Sequence, residues 1–151
     1  MAALGTAACT RDDDRTIRFW AMGREGEVAA QLLDSFEREH PGVRVRIEKL
    51  PWTAAHEKLL TAFAGNATPD VAQLGNTWLP ELVALDALEP LDAHLQASSD
   101  IDARDYFPGI WDTNVVDSTV YGIPWYVDTR LMFYRSDLFE KAGWKKPPEM
   151  R

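Results

Sequence analysis

The strongest constraint on this chain lies in residues 16–85, where short apolar runs alternate with amphipathic stretches and the links between them are only a few residues long. Residues 16–21 (TIRFWA) are β-branched and aromatic and read as a buried strand. A turn with Gly23 and Gly26 follows. Across residues 27–40, Val28, Leu32, Leu33 and Phe36 recur at helical spacing, and Pro41-Gly42 ends the helix. Val43, Val45 and Ile47 then alternate with Arg44, Arg46 and Glu48, the period of a strand with one face in water, which suits a sheet edge. Thr53 is expected to cap a helix running to Ala64, with Leu59, Leu60 and Phe63 as its buried stripe and Gly65-Asn66 closing it. Residues 70–74 (DVAQL) give a third strand. Gly75-Asn76-Thr77 turns into a helix with Pro80 in its first turn and Leu82, Val83 and Leu85 facing inward.

Strands and helices in strict alternation, joined by short links, imply an α/β fold with a mostly parallel sheet covered on both faces. Ligands of such sheets bind beyond the carboxyl ends of the strands. Three loops therefore matter: residues 22–27, 51–53 and 75–78. Trp52 and Trp78 sit in two of them, and Trp20 ends the first strand. Beyond residue 86, Pro90, Ser98-Ser99 and Pro108-Gly109 break the pattern into short helical pieces, with Ile110, Trp111, Val115 and Val116 as expected core contacts. Residues 120–134 form a new apolar and aromatic run that reads mostly as strand, interrupted by Gly122 and Pro124.

Composition excludes several partners. Sixteen basic against 24 acidic side chains give a net charge of −8, and residues 81–128 hold ten carboxylates against Arg104 alone. Such a chain lacks the cationic footprint that DNA or RNA requires. No apolar run approaches the roughly 18 residues of a membrane-spanning helix. One cysteine, Cys9, and three scattered histidines offer no metal-ligand spacing, and no cofactor is implied. Six tryptophans in 151 residues either fill a core or line a ligand cleft.

The termini carry their own signals. Small and apolar residues precede Cys9, and Thr10, Arg11 and three consecutive aspartates follow it. This resembles the tail of a bacterial lipoprotein signal, in which the cysteine is cleaved and acylated; an ordinary ragged terminus is the alternative. At the other end, residues 140–148 read as a helix end and a loop that should lead to another element, so the chain is expected to be a fragment.

Three segments, FWAMGREGE, PDVAQLGNTWLPEL and YGIPWYVDTRLMFYRSDLFEKAG, together resemble the N-terminal part of an extracellular solute-binding protein. More narrowly, the chain is similar to the family 1 sugar-binding receptors of ABC importers, the relatives of maltose-binding protein. The resemblance implies a periplasmic-binding-protein-like (class II) fold of two lobes with the sugar between them. Residues 1–15 would be the lipoprotein signal remnant and tether, 16–127 lobe one, 128–134 the hinge crossover, and 135–151 the start of a truncated lobe two. It also implies an ABC permease as partner and an extracytoplasmic location, with the membrane reached only through a lipid anchor.

Carried over by position, Glu25 would accept hydrogen bonds from sugar hydroxyls and Asn76, beside Trp78, would donate and accept. Trp125 and Tyr126 would stack on or line the cleft, and Asp128 with Arg130 would clamp vicinal hydroxyls. The chemistry fits: a pyranose offers C–H faces to flat rings and hydroxyls to carboxylates, amides and guanidinium forks. Trp20 is expected in the core or beneath the cleft, Trp111 and Trp144 away from it, and Trp52 is open. Two other readings stand beside the receptor: a glycosidase using Glu25 and Asp128, and an inactive fragment.

Overall fold

The computed structural model describes residues 15–128 and 131–144. Three parallel strands form the main sheet: β1 (Thr16–Met22), β2 (Arg44–Leu50) and β3 (Val71–Ala72), in the order β2-β1-β3. β1 and β2 pair in register over seven residues, from Thr16 opposite Arg44 to Met22 opposite Leu50. Helix α1 (Glu25–Glu39) joins β1 to β2, and α2 (Trp52–Ala64) joins β2 to β3. The edge position expected for the second strand is observed.

Alternation along β1 divides the helices between the two faces. Trp20 and Met22 point to one side and form a core with Leu50 of β2 and with Ala55, Leu59 and Ala62 of α2. Ala21, completely buried, points to the other, where it meets Gly26 of α1. The chain thus reverses direction at β1, between its crossovers to β2 and to β3. In a doubly wound sheet that is where a crevice opens at the strand ends.

β3 is much shorter than the expected 70–74 strand, yet its flanks still serve β1. The Arg18 N–H donates to the Asp70 carboxylate at 2.7 Å, and the Met22 N–H donates to Gln73 Oε1, also at 2.7 Å. Backbone bonds from Asp70 N to Arg18 O (3.0 Å) and from Gln73 N to Trp20 O (2.8 Å) complete the edge. Two side chains therefore satisfy strand donors beyond the two-residue ladder.

Several local expectations are corrected. In α1, Val28, Leu32 and Phe36 are exposed, and the helix docks through Gly26 and Ala29 instead. Periodicity gives the angular width of an apolar stripe, but the smallest side chains set where the backbone comes closest. Thr53 does not cap α2. The helix begins at Trp52 behind Pro51, whose extended backbone (φ −70°, ψ 137°) already turns the chain out of β2. After a 3-10 turn (Asn76–Trp78), α3 (Leu79–Ala84) buries Leu79 and Leu82, while Leu85 is exposed.

The remainder is α4 (Asp92–Ala97), α5 (Pro108–Trp111), the two-residue strands β4 (Val115–Val116) and β5 (Thr119–Val120), and α6 (Ser136–Lys141). Ile110, Trp111, Val115 and Val116 are only half-buried; Asn114 and Val120 take the buried positions. Asn114 bonds Ile110 O through Nδ2 at 3.0 Å and receives the Tyr121 N–H on its backbone carbonyl, also at 3.0 Å. The 120–134 run is not a strand past Val120: residues 121–128 and 131–135 are irregular. Extended backbone becomes a strand only where a neighbour pairs with it, and Gly122 and Pro124 interrupt this one. Residues 131–134 are exposed, Phe133 at 89%.

A side-chain methyl at Gly26 would approach Lys49 Cγ to 3.2 Å and Ala21 Cβ to 3.3 Å. Gly26→Val should therefore lower the unfolding free energy by about 1–3 kcal/mol, as overpacked sites do. A reduced urea midpoint at an unchanged slope is the expected readout.

Candidate functional site

The loops at the carboxyl ends of β1 and β3 bring the candidate residues together. Gly23 follows β1 with φ +58°, a conformation that L side chains rarely adopt. Its missing Cβ matters too, because one placed there would lie 2.9 Å from Glu25 Oε2 and 3.3 Å from Trp52 Nε1. The carboxylate expected from the first loop and the indole of the second thus share the space above one glycine. Gly75 plays a similar part after β3: a Cβ there would come within 3.1 Å of Trp78 Cε2. Trp52 and Trp78 meet edge to face, with ring centroids 5.8 Å apart and an interplanar angle of 62°.

The irregular segment after Gly122 supplies the other side. Trp125 packs on Phe19 of β1 (5.9 Å) and on the neighbouring Tyr126 (6.2 Å), and both rings remain half exposed. The Tyr126 phenol is held above its usual pKa range. Desolvation is the first cause, then pairing of its hydroxyl with the Glu25 carboxylate and the charges of Glu25 and Asp128; Gln73 opposes the shift. Glu25, about a hundred residues before Tyr126 and Asp128, therefore shares one electrostatic environment with them.

Gln73 is the residue that sequence reasoning missed. It is 7% exposed, its Oε1 accepts the Met22 N–H, and it opposes the rise in the Tyr126 pKa. Its one signal in the sequence is a polar side chain inside the run DVAQL.

Other expected residues fare differently. Asn76 is exposed in the 3-10 turn, two residues before Trp78. Trp20 is a core residue at 6% exposure, with the Lys58 ammonium 4.5 Å from its ring centroid. Trp111 stacks obliquely on Tyr106 (5.3 Å), and Trp144 lies after α6 in an apolar pocket with Leu138, Phe139 and Ala142. Arg130 and Cys9 lie outside the described residues. Among the described residues no cluster of His, Cys, Asp and Glu could hold a metal, and no helix is long and apolar enough to cross a membrane.

Residues 22–150 match the family described as bacterial extracellular solute-binding protein. The chain belongs to that family. Among solved structures, it is similar to the sugar-binding protein MalE of Xanthomonas citri, with 59% identity, a TM-score of 0.74, and coverage of 88% of this chain and 34% of that one. It also resembles a Thermotoga lettingae ABC transporter solute-binding protein bound to α-D-tagatose, at 29% identity and a TM-score of 0.70, covering 89% and 35% of the two chains. The diacetylchitobiose-binding protein DasA of Streptomyces coelicolor is 27% identical over 163 residues, which is 96% of this chain and 36% of DasA. This chain thus spans about a third of the length of these relatives. The MalE-like fold expected from the sequence is the fold observed.

The raised Tyr126 pKa has a definite sign. A phenol that binds its proton more tightly in the folded state stabilises the fold below its ordinary pKa of about 10, and that contribution fades as pH rises through the folded value. In a tyrosine absorbance titration one phenol should ionise late, and Glu25→Gln should move it back toward the ordinary range. Gln73→Leu should cost about 1–3 kcal/mol by leaving the Met22 N–H buried without an acceptor.

Proposed function

We propose that this chain forms one wall of an extracytoplasmic sugar receptor that delivers a carbohydrate to an ABC permease. The observation that carries the reading is the gathering of Glu25 with the Trp52 indole over Gly23, and of the Trp52–Trp78 and Trp125–Tyr126 ring pairs, at the strand ends of a doubly wound sheet. Carboxylates and a phenol address hydroxyls, and flat rings address the C–H faces between them. Trp52 and Trp125 supply exposed rings, Trp78 packs edge to face on Trp52, and Asn76 and Arg130 supply a further amide and a guanidinium fork. The sugar-binding, tagatose-bound and diacetylchitobiose-binding relatives support the ligand class.

In this reading residues 16–127 are lobe one, 128–134 the crossover and 135–151 the start of lobe two. Ligand contacts from two lobes favour a closed state through hinge motion. The role is capture without turnover. Glu25 lies with the Trp52 indole over Gly23, and its carboxylate contributes to the raised Tyr126 pKa, an arrangement suited to a fixed acceptor. Cys9, if acylated, would tether the receptor to the membrane, and mass spectrometry of the N-terminus from native membranes would detect the lipid.

Titration calorimetry on the protein expressed from its full reading frame tests the proposal. A panel of mono- to oligosaccharides including diacetylchitobiose and D-tagatose should contain a ligand with a Kd of about 1 μM or tighter, near −8 kcal/mol. Glu25→Gln and Trp52→Ala should each weaken it by about tenfold or more, the size of one lost charge-assisted hydrogen bond or stacked ring. Silence across the panel would sink the receptor reading, and hydrolysis of a chromogenic glycoside, lost in Glu25→Gln, would replace it with an enzyme.

A further inference from the structure

His56 lies on α2, outside every loop that faces the candidate site, and neither composition nor motif spacing gives it a role. Its ring stacks on the Trp78 indole, with centroids 4.9 Å apart and an interplanar angle of 30°. Its Nε2 lies 2.7 Å from Glu81 Oε2. A carboxylate accepts, so Nε2 carries the proton and donates. Glu81 stands on α3, three residues past Trp78, so this bond ties α2 to the segment that carries the indole. The ring positions one turn away from His56 on its own helix, Trp52, Thr53, Leu59 and Leu60, bear no charge.

Trp78 is thereby held on several sides. Its indole lies against Gly75, packs on the core around Trp20, Met22 and Leu59, and has the imidazole on one face. What remains is its edge-to-face contact with Trp52, which is 39% exposed. The two tryptophans therefore differ in kind: one is fixed by its neighbours, and the other presents surface.

We propose that His56, held by Glu81, is a positioning residue that fixes Trp78 as the backing on which Trp52 is oriented, leaving Trp52 as the ring that meets the ligand. The inference rests on the sugar-receptor reading for its purpose, while the clamp itself can be tested without any ligand. Two indoles at this distance and tilt couple their absorption transitions and give a paired positive and negative band in far-ultraviolet circular dichroism. In the protein from the full reading frame, the band pair that disappears in Trp52→Phe belongs to this couple.

His56→Ala should reduce that band pair by about half or more at an essentially unchanged melting temperature, and His56→Phe, which restores a flat ring, should recover most of it. Should His56→Ala melt early, Glu81→Ala, which removes the acceptor at a half-exposed position, serves in its place. For whichever of diacetylchitobiose and D-tagatose binds the unmodified protein, His56→Ala should weaken binding by about fivefold, the size of one aromatic contact, with recovery in His56→Phe. An unchanged band pair in natively melting His56→Ala or Glu81→Ala overturns the clamp, and unchanged affinity with a diminished band pair overturns its role in recognition. A diminished band pair with a silent sugar panel supports the clamp and removes the receptor reading alone.

Discussion

Everything in this fold hangs on the backbone N–H groups of β1, the central strand of a three-stranded parallel sheet. A buried strand must find acceptors along both edges or lose the free energy of each orphaned donor. β2 meets that demand along one edge with a seven-residue ladder. Along the other edge β3 offers two paired residues, and Asp70 and Gln73 extend it with side-chain oxygens. Because β3 is short, the chain leaves the sheet early and turns at Gly75, which brings Trp78 beside the end of β1.

Gln73 joins the two tasks. The oxygen of its carboxamide closes the sheet, and the same residue opposes the rise in the Tyr126 pKa. The orientation of the amide is settled by the backbone, since only its oxygen can accept the Met22 N–H. The side chain beside the candidate site is thus fixed by the same bond that completes the strand edge. Preorganisation of this kind reduces the ordering that binding would otherwise require.

Much of this architecture is legible in the sequence because period and punctuation are local. TIRFWA, the Val43-Val45-Ile47 alternation and the Gly75 turn reveal the strands, their order and the loops to inspect. Which side of α1 docks is less legible: Val28, Leu32 and Phe36 advertise an apolar stripe, but Gly26 and Ala29 permit the closest approach. The 120–134 run shows a second limit, since strand propensity in YGIPWYV has no effect without a strand beside it. The site was partly legible. Glu25, Tyr126 and Asp128 could be named from a family resemblance, whereas Gln73 and His56 act through contacts 51 and 25 residues away in sequence, which no local pattern encodes.

Gly23 has a further consequence for how this site varies. It contributes no side-chain atom to recognition, yet any β-carbon there would crowd the Glu25 carboxylate and the Trp52 indole while straining the backbone. A mutational tolerance map would rank it with the side chains around it, although it has no side chain of its own. Divergence within the family should therefore pass around this position, with change falling on the side chains that lean over it. The glycine acts as a fixed origin from which the rest of the candidate site is measured.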